Sequence, residues 1–230
     1  MAVSKAKSTS RAAEPKPRKY DPEATRANII AVAMDAFSQH GLSGARIDEI
    51  AARTKTSKRM IYYYFGDKEG LYRVVLETAY ARVRAGEEAL RLDHLTPVEA
   101  MRALTEFTFT HHNNAPEFVR LVMIENIHNG EHLQASDIIA QVNAGIIRHV
   151  DRIYRSGLEA GVFRPGLEPI EIHWLISGLA FFSVSNRATF SKIFDWQRVR
   201  PEGLDALTRQ AVDVVLRFVL KPSMFPGNCD

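Results

Sequence analysis

The stretch GLSGARIDEIAARTKTSKRMIYYYFGDKEGL, residues 41–71, decides how the rest of the chain is read. Gly41 can take a left-handed backbone at no steric cost, so it ends a preceding helix. Ile47, Ile50 and Ala51 share one face of a short helix running roughly from Ile47 to Thr54. Lys55 and Thr56 form the turn, and Ser57 is suited to cap a third helix through its hydroxyl. Ile61 and Phe65 lie one turn apart on the buried face of that helix, and Gly66 ends it. Asp67 caps a fourth helix that starts at Lys68 and continues to about Leu90. Upstream, Asp21-Pro22 opens a longer first helix, where Ile30, Ala33, Met34 and Phe37 recur at helical spacing. Two short helices joined by a tight turn and propped by a longer one make a helix-turn-helix.

Such a unit sends its second short helix into the DNA major groove N-terminus first. Basic and polar groups are then expected at the start of the third helix, where Lys58 and Arg59 stand. Both can donate to guanine O6 and N7, arginine with two donors at once. Met60 has no donor and can only meet a thymine methyl. Tyr62, Tyr63 and Tyr64 follow, and three consecutive side chains fan over about 200° of a helix. They cannot all be buried, so at least one hydroxyl is expected at a phosphate or base edge. Arg46 before the second helix and Lys68 at the start of the fourth are placed for phosphates, and the free amides at those helix starts favour anions. The competing reading is a solvated basic face, Arg53, Lys55, Lys58 and Arg59, over an aromatic core.

Charge along the chain bears on that choice. Residues 1–68 hold 13 Lys/Arg against 7 Asp/Glu, a balance of +6, whereas residues 69–230 carry a balance of −3. A basic first third on a mildly acidic remainder suits a polyanionic partner. Residues 1–20, rich in Ala, Ser, Lys and Pro, read as a disordered basic tail. They lack the apolar run of a signal peptide, and no stretch approaches the roughly 20 apolar residues of a bilayer span. A cytoplasmic location is expected. Cys229 is the lone cysteine, too few for an internal disulfide or a thiolate metal site.

Beyond residue 90 the pattern is helical throughout. Thr96-Pro97 opens a helix closed by Asn113-Asn114, and Pro116 opens the next. A long helix is expected over Asp137–Ala160, stopped by Gly161, another over about Glu168–Arg187, and a last over Pro201–Leu220. The expected fold class is all-α, with an N-terminal three-helix helix-turn-helix domain (21–70), a larger helical ligand-binding and dimerisation domain (71–221) and a C-terminal tail (222–230).

Ile29, Ala33, Phe37, Gly41, Ile50-Ala51, Ser57-Lys58, Ile61-Tyr62, Tyr64-Phe65, Lys68-Glu69 and Leu71 together resemble the DNA-binding domain of the TetR family of transcriptional regulators. The resemblance covers about residues 22–75. It implies base- or phosphate-facing positions for Lys58, Arg59, Met60, Tyr62 and Tyr63, and phosphate contacts for Tyr64 and Lys68. With Arg46 and Ser57 these are the expected DNA-binding residues. Three positions depart from the family pattern. Lys55 stands where the turn usually has glycine, Arg46 where a threonine cap is usual, and Met60 where a small hydroxyl residue is common.

The resemblance also implies a helical second domain with a ligand pocket and two helices pairing across a two-fold axis. The sequence agrees. The final helix is apolar on two sides, with Leu204, Leu207, Ala211, Val214 or Val215 and Phe218 on one and Val212, Leu216 and Val219 on the other. A helix apolar on two sides is buried on two sides. Leu175, Leu179 and Phe182, with Gly178 allowing close approach, give a second candidate helix. The expected dimer residues are Leu175, Leu179, Phe182, Leu207, Ala211, Val215 and Phe218.

Glu125, His128, His173 and Trp174 are polar or amphipathic groups among apolar neighbours and are the candidate ligand contacts. His128 and His132 are four apart, but Gly130 between them argues against a shared helix face, so no metal is expected. No cofactor and no catalytic residue is expected either, because no nucleophile motif, Gly-rich phosphate loop or HExxH is present. The resulting expectation is a ligand-responsive homodimeric repressor binding double-stranded operator DNA and a small-molecule effector. A helical enzyme with a DNA anchor, and an architectural protein coating DNA without sequence preference, are the alternatives.

Overall fold

A computed structural model describes residues 21–134, 136–196 and 203–224. The expectations placed on the basic tail, on Pro201 and on Cys229 lie outside these residues. The chain is all-α: α1 (Pro22–Gly44), α2 (Ile47–Thr54), α3 (Lys58–Phe65), α4 (Lys68–Glu88), α5 (Pro97–Asn114), α6 (Pro116–Ile127), α7 (Glu131–Gln134), α8 (Asp137–Glu159), α9 (Pro169–Ser185), α10 (Arg187–Phe194) and α11 (Leu204–Val219). An isolated bridge pairs Phe163 with Leu220. None of the described helices is long and apolar enough to cross a membrane.

Side-chain caps set several helix starts. The Asp21 carboxylate accepts from the amides of Glu23 and Ala24 at 3.0 and 3.1 Å, and the Asp67 carboxylate accepts from Gly70 at 2.6 Å. Thr96 and Glu99 form a reciprocal capping box at the start of α5. At Gly41 the backbone turns to φ 68°, ψ 178°, and helical structure resumes to Gly44 beyond that kink.

Three elements differ from the sequence reading. The helix expected to reach Arg187 is two, because Asn186 leaves helical geometry and its carbonyl accepts from the amide of Phe190 at 2.8 Å, starting α10. The last helix begins at Leu204 and stops at Val219, where Leu220 becomes extended. The one-turn α7 is additional. Gly130, at φ 69°, separates it from α6.

Two apolar clusters organise the packing. The first joins Ile29, Phe37, Ile50, Ile61, Leu71 and Tyr72, and continues into Val119, Leu121 and Ile139 of α6 and α8. The second joins Met101, Leu104, Val150, Phe163, Ile172 and Val215. Helix α4 packs on α1 at one end and on α8 and α5 at the other. Its 21 residues span about 30 Å at 1.5 Å per residue. A single stiff rod therefore runs from the helix-turn-helix along α5 and α8, and α6 presses directly on α1.

Candidate functional site

Helices α2 and α3 bury Ile47, Ile50, Ala51, Ile61 and Phe65 against α1 and α4, which turns their opposite faces to solvent. The turn between them is built on Lys55, which adopts a left-handed conformation at φ 54°, ψ 34°. That is the position where the resemblance led to glycine. Its geometry lets the amides of Lys55 and Thr56 close on the carbonyls of Ala52 and Ala51 at 3.3 and 3.1 Å. Ser57 accepts from the Met60 amide at 3.2 Å, which fixes the first turn of α3.

That first turn presents Lys58 and Arg59 to solvent, with Met60 half-buried beside them. Lys58 is ion-paired with Asp48, whereas Arg59 has no partner among the described residues. Tyr63 is 78% exposed and Tyr62 43%, so two of the three tyrosines face outward. Tyr64 is half-buried, its ring edge-on to Tyr63 and tilted against Phe65. Arg46 precedes α2 without a side-chain cap bond and lies 3.7 Å from Glu49 and 4.0 Å from Asp48. Lys68 donates to the Ser43 carbonyl at 3.2 Å, tying the start of α4 to the segment beyond the α1 kink. Of the nine residues expected to meet DNA, Arg46, Ser57, Lys58, Arg59, Tyr62 and Tyr63 are exposed, and Met60, Tyr64 and Lys68 are half-buried.

A cavity of about 380 Å³ opens between α4, α5, α6, α8 and α9. Tyr80, Phe118 and Phe181 supply aromatic walls, with Tyr80 and Phe118 edge-to-face at 5.3 Å between ring centres. Its polar groups include Arg84 and Glu87 from α4, Thr108 and His112 from α5, Asn126 from α6, Asn143 from α8, and His173 with Ser177 from α9. Arg84 is ion-paired with Glu87, and both side chains are withdrawn from solvent. Burial pushes the Glu87 carboxyl up to about 7 against the opposing pull of Arg84. Burial, reinforced by the Arg84 charge, holds the imidazoles of His112 and His173 down to about 4. His112 is anchored by Nδ1 to the Thr108 carbonyl at 2.8 Å.

A second feature joins the two halves. Glu125 of α6 is buried, accepts from the Tyr72 hydroxyl at 2.8 Å and meets His132 of α7 at both its amide (3.2 Å) and its Nδ1 (3.1 Å). The Tyr72 ring in turn stands edge-on to Phe37 of α1 and to the imidazole of His132, each at 5.0 Å. Desolvation, with the Glu125 carboxylate beside it, raises the Tyr72 phenol.

Two family profiles match the chain. "Bacterial regulatory proteins, tetR family" covers residues 29–75, and "Tetracyclin repressor-like, C-terminal domain" covers residues 97–215, more than half of the sequence. The chain belongs to the TetR family. Among its relatives, the HTH-type transcriptional repressor NicS of Pseudomonas putida is 36% identical over 174 residues, covering 76% of this chain and 82% of that protein. The HTH-type transcriptional repressor SCO4008 of Streptomyces coelicolor is 31% identical over 166 residues, 71% and 80% of the two chains. A regulatory protein of the tetR family from Rhodococcus superposes with a TM-score of 0.67 over 85% of this chain and 96% of its own, at 21% identity, a likeness of fold. As a TetR-family member the chain is a DNA-binding transcriptional regulator.

Within this TetR-family fold the remaining sequence candidates fall in different places. His173 and Trp174 line the cavity. Glu125 and His128 do not. They border a separate cleft of about 440 Å³ between α1, α4, α6 and α7, because α6 turns them away from α9 and toward the helix-turn-helix. Ala211 and Val215 are buried within the protomer, since the side of α11 that carries them packs on α5 and α9. Leu175, Leu179, Leu207 and Phe218 are half-buried, and Phe182 is exposed. Arg84 and Glu87 were not singled out by sequence. Three apart on an amphipathic helix, they look like an ordinary surface pair.

Proposed function

We propose that this protein is a homodimeric repressor that leaves its operator when a small molecule fills the second-domain cavity. The observation carrying the proposal is a helix-turn-helix whose third helix opens on an exposed Arg59 without a partner among the described residues, joined through one continuous helix, α4, to a cavity-bearing domain. In this reading residues 21–70 form the DNA-binding domain and residues 71–221 the effector and dimerisation domain. Lys58, Arg59, Met60, Tyr62 and Tyr63 meet base edges or phosphates. Tyr64, Lys68, Arg46 and the amides capped by Ser57 hold the backbone.

Dimerisation uses the outer face of α9 with α11. Ile170, Trp174, Gly178 and Phe182 recur every four residues along α9, and the three large side chains are more than half exposed. Val214 extends the strip on α11, and Leu175 and Phe218 floor a groove beside it. A strip this apolar on an isolated chain favours a self-complementary partner. Pairing there would set two α3 helices one DNA turn, about 34–36 Å, or a multiple of it apart.

An effector acts only through its differential affinity for the two spacings. Because α4 contributes to both the cavity and the first cluster, a ligand that shifts α4 shifts α3 with it. The Tyr72–Glu125–His132 junction adds a second tie between α6, α7 and that lever. The test is a gel-shift titration on operator DNA with a ligand found by thermal shift. Release at saturating ligand supports the switch, and unchanged operator affinity refutes it.

A further inference from the structure

We propose that the effector is a small organic carboxylate, held by the partly buried guanidinium of Arg84. The proposal rests on reading the α4–α9 cavity as the effector site and names the chemistry of what fills it.

Arg84 has five N–H donors. One, on Nη1, goes to Glu87, while Nε is buried without a hydrogen-bond partner. An unpaired donor of this kind in a withdrawn cavity is uncommon in native proteins and asks for an acceptor. The Nε edge of a guanidinium presents two parallel donors, the spacing that a carboxylate matches with both oxygens.

The neighbours do not supply that acceptor. The Thr108 hydroxyl donates to the Leu104 carbonyl at 2.8 Å, and neither it nor the Asn126 and Asn143 amides of the cavity wall meet Arg84 Nε. His112 and His173 add no positive charge, since burial keeps both imidazoles neutral at ordinary pH. Glu87 is the one carboxyl lining the cavity among the described residues, and burial brings it close to losing its charge. Arg84 is permanently charged, so the cavity presents a net positive site as Glu87 takes up a proton. A second cavity of about 430 Å³ shares Arg84 and Glu87 and is rimmed by Arg148, His149 and Arg152, along with Glu88 and Asp151. Arg84 thus stands between a charged vestibule and an aromatic-walled chamber. A ligand with a carboxylate at one end and a flat apolar body fits both sides.

The test uses matched probes: a panel of one-ring aromatic monocarboxylates, each beside its primary amide, scored by thermal shift and by release of operator DNA. At least one acid is expected to raise the melting temperature and release DNA while its amide does neither. Arg84→Gln should lower the affinity for that acid at least tenfold. Glu87→Gln, which keeps Arg84 and removes the opposing carboxylate, should raise it at least threefold. The second variant keeps the proposal exposed if the first fails to fold. Amides as effective as acids, no active acid, an acid indifferent to Arg84→Gln, or Glu87→Gln leaving affinity unchanged or lower would each overturn the proposal. Val122→Trp, which fills the chamber, separates this from the cavity reading. Active amides blocked by Val122→Trp would leave the cavity as the effector site with a neutral ligand. Release that survives Val122→Trp would sink the cavity reading itself.

Discussion

Replacing Lys55 with glycine should stabilise this protein, an unusual direction for a change to glycine. Lys55 sits at φ 54°, ψ 34° in the turn between α2 and α3, with two amides closed onto α2 carbonyls. A side chain in this left-handed basin costs about 1–2 kcal/mol, because Cβ crowds the following carbonyl oxygen. Glycine gives back roughly 0.5–1 kcal/mol as the greater chain entropy it loses on folding. The balance is a gain of about 0.5–1 kcal/mol, or about 1–4 °C in Tm for a chain of this length. Lys55 is exposed, so no packing is lost with it. Lys55→Ala removes the same side chain but keeps the Cβ, and should leave Tm within a degree of the parent. Lys55→Asn should recover part of the gain, since asparagine tolerates this conformation. The assay is thermal unfolding of all four proteins at one protein concentration, because dimer formation makes Tm concentration-dependent. If Lys55→Gly melts at or below Lys55→Ala, the turn is not left-handed and the reasoning fails.

Other expectations follow from the same geometry. Gly41 stands at φ 68°, ψ 178°, with open space where a Cβ would lie. Gly41→Ala should therefore cost about 1–3 kcal/mol from backbone strain alone, measured by urea denaturation. Arg46→Thr should give α2 the side-chain cap it lacks and stabilise the fold by about 1 kcal/mol. The same change should weaken DNA binding on all sequences and lower the salt slope by about one, which a titration across salt concentrations reads. His112 is buried and held neutral down to about pH 4, so its contribution of about 3 kcal/mol is complete above pH 6.5 and vanishes as pH falls through 4. Denaturation curves of His112→Gln across that window should be flatter than those of the parent, and parallel curves would exclude the assignment. Tyr72→Phe removes the hydroxyl donor to Glu125 and should cost about 1–3 kcal/mol.

How much was legible in the sequence depends on where each signal lies. The helix-turn-helix could be read almost residue by residue because its boundaries are local chemistry: Asp21, Ser57 and Asp67 cap helices with their own side chains. The break at Asn186 was hidden because no glycine or proline marks it between Ser183 and Phe194. Glu125 was singled out for its apolar surroundings, and it is buried. Its partners, Tyr72 and His132, lie 53 and 7 positions away and follow only from the packing of α4, α6 and α7. Arg84 and Glu87 gave no signal at all, since their burial is created by α5, α8 and α9. For α11 the pattern marked two apolar sides, one expected to meet a partner, yet packing on α5 and α9 buries Ala211 and Val215 of the one as well as Val212, Leu216 and Val219 of the other.

The central claim is that the first turn of α3 reads DNA sequence. The most direct measurement is a binding titration of the full chain and of Arg59→Ala on fragments flanking its own gene, at two salt concentrations with excess competitor DNA. The account predicts a tight, competitor-resistant site for the parent, with Arg59→Ala losing about 1–3 kcal/mol on that site and its preference for one base pair relaxed. Binding that competitor removes, equal on every fragment and weakened alike by Arg59→Ala on all of them, would contradict it.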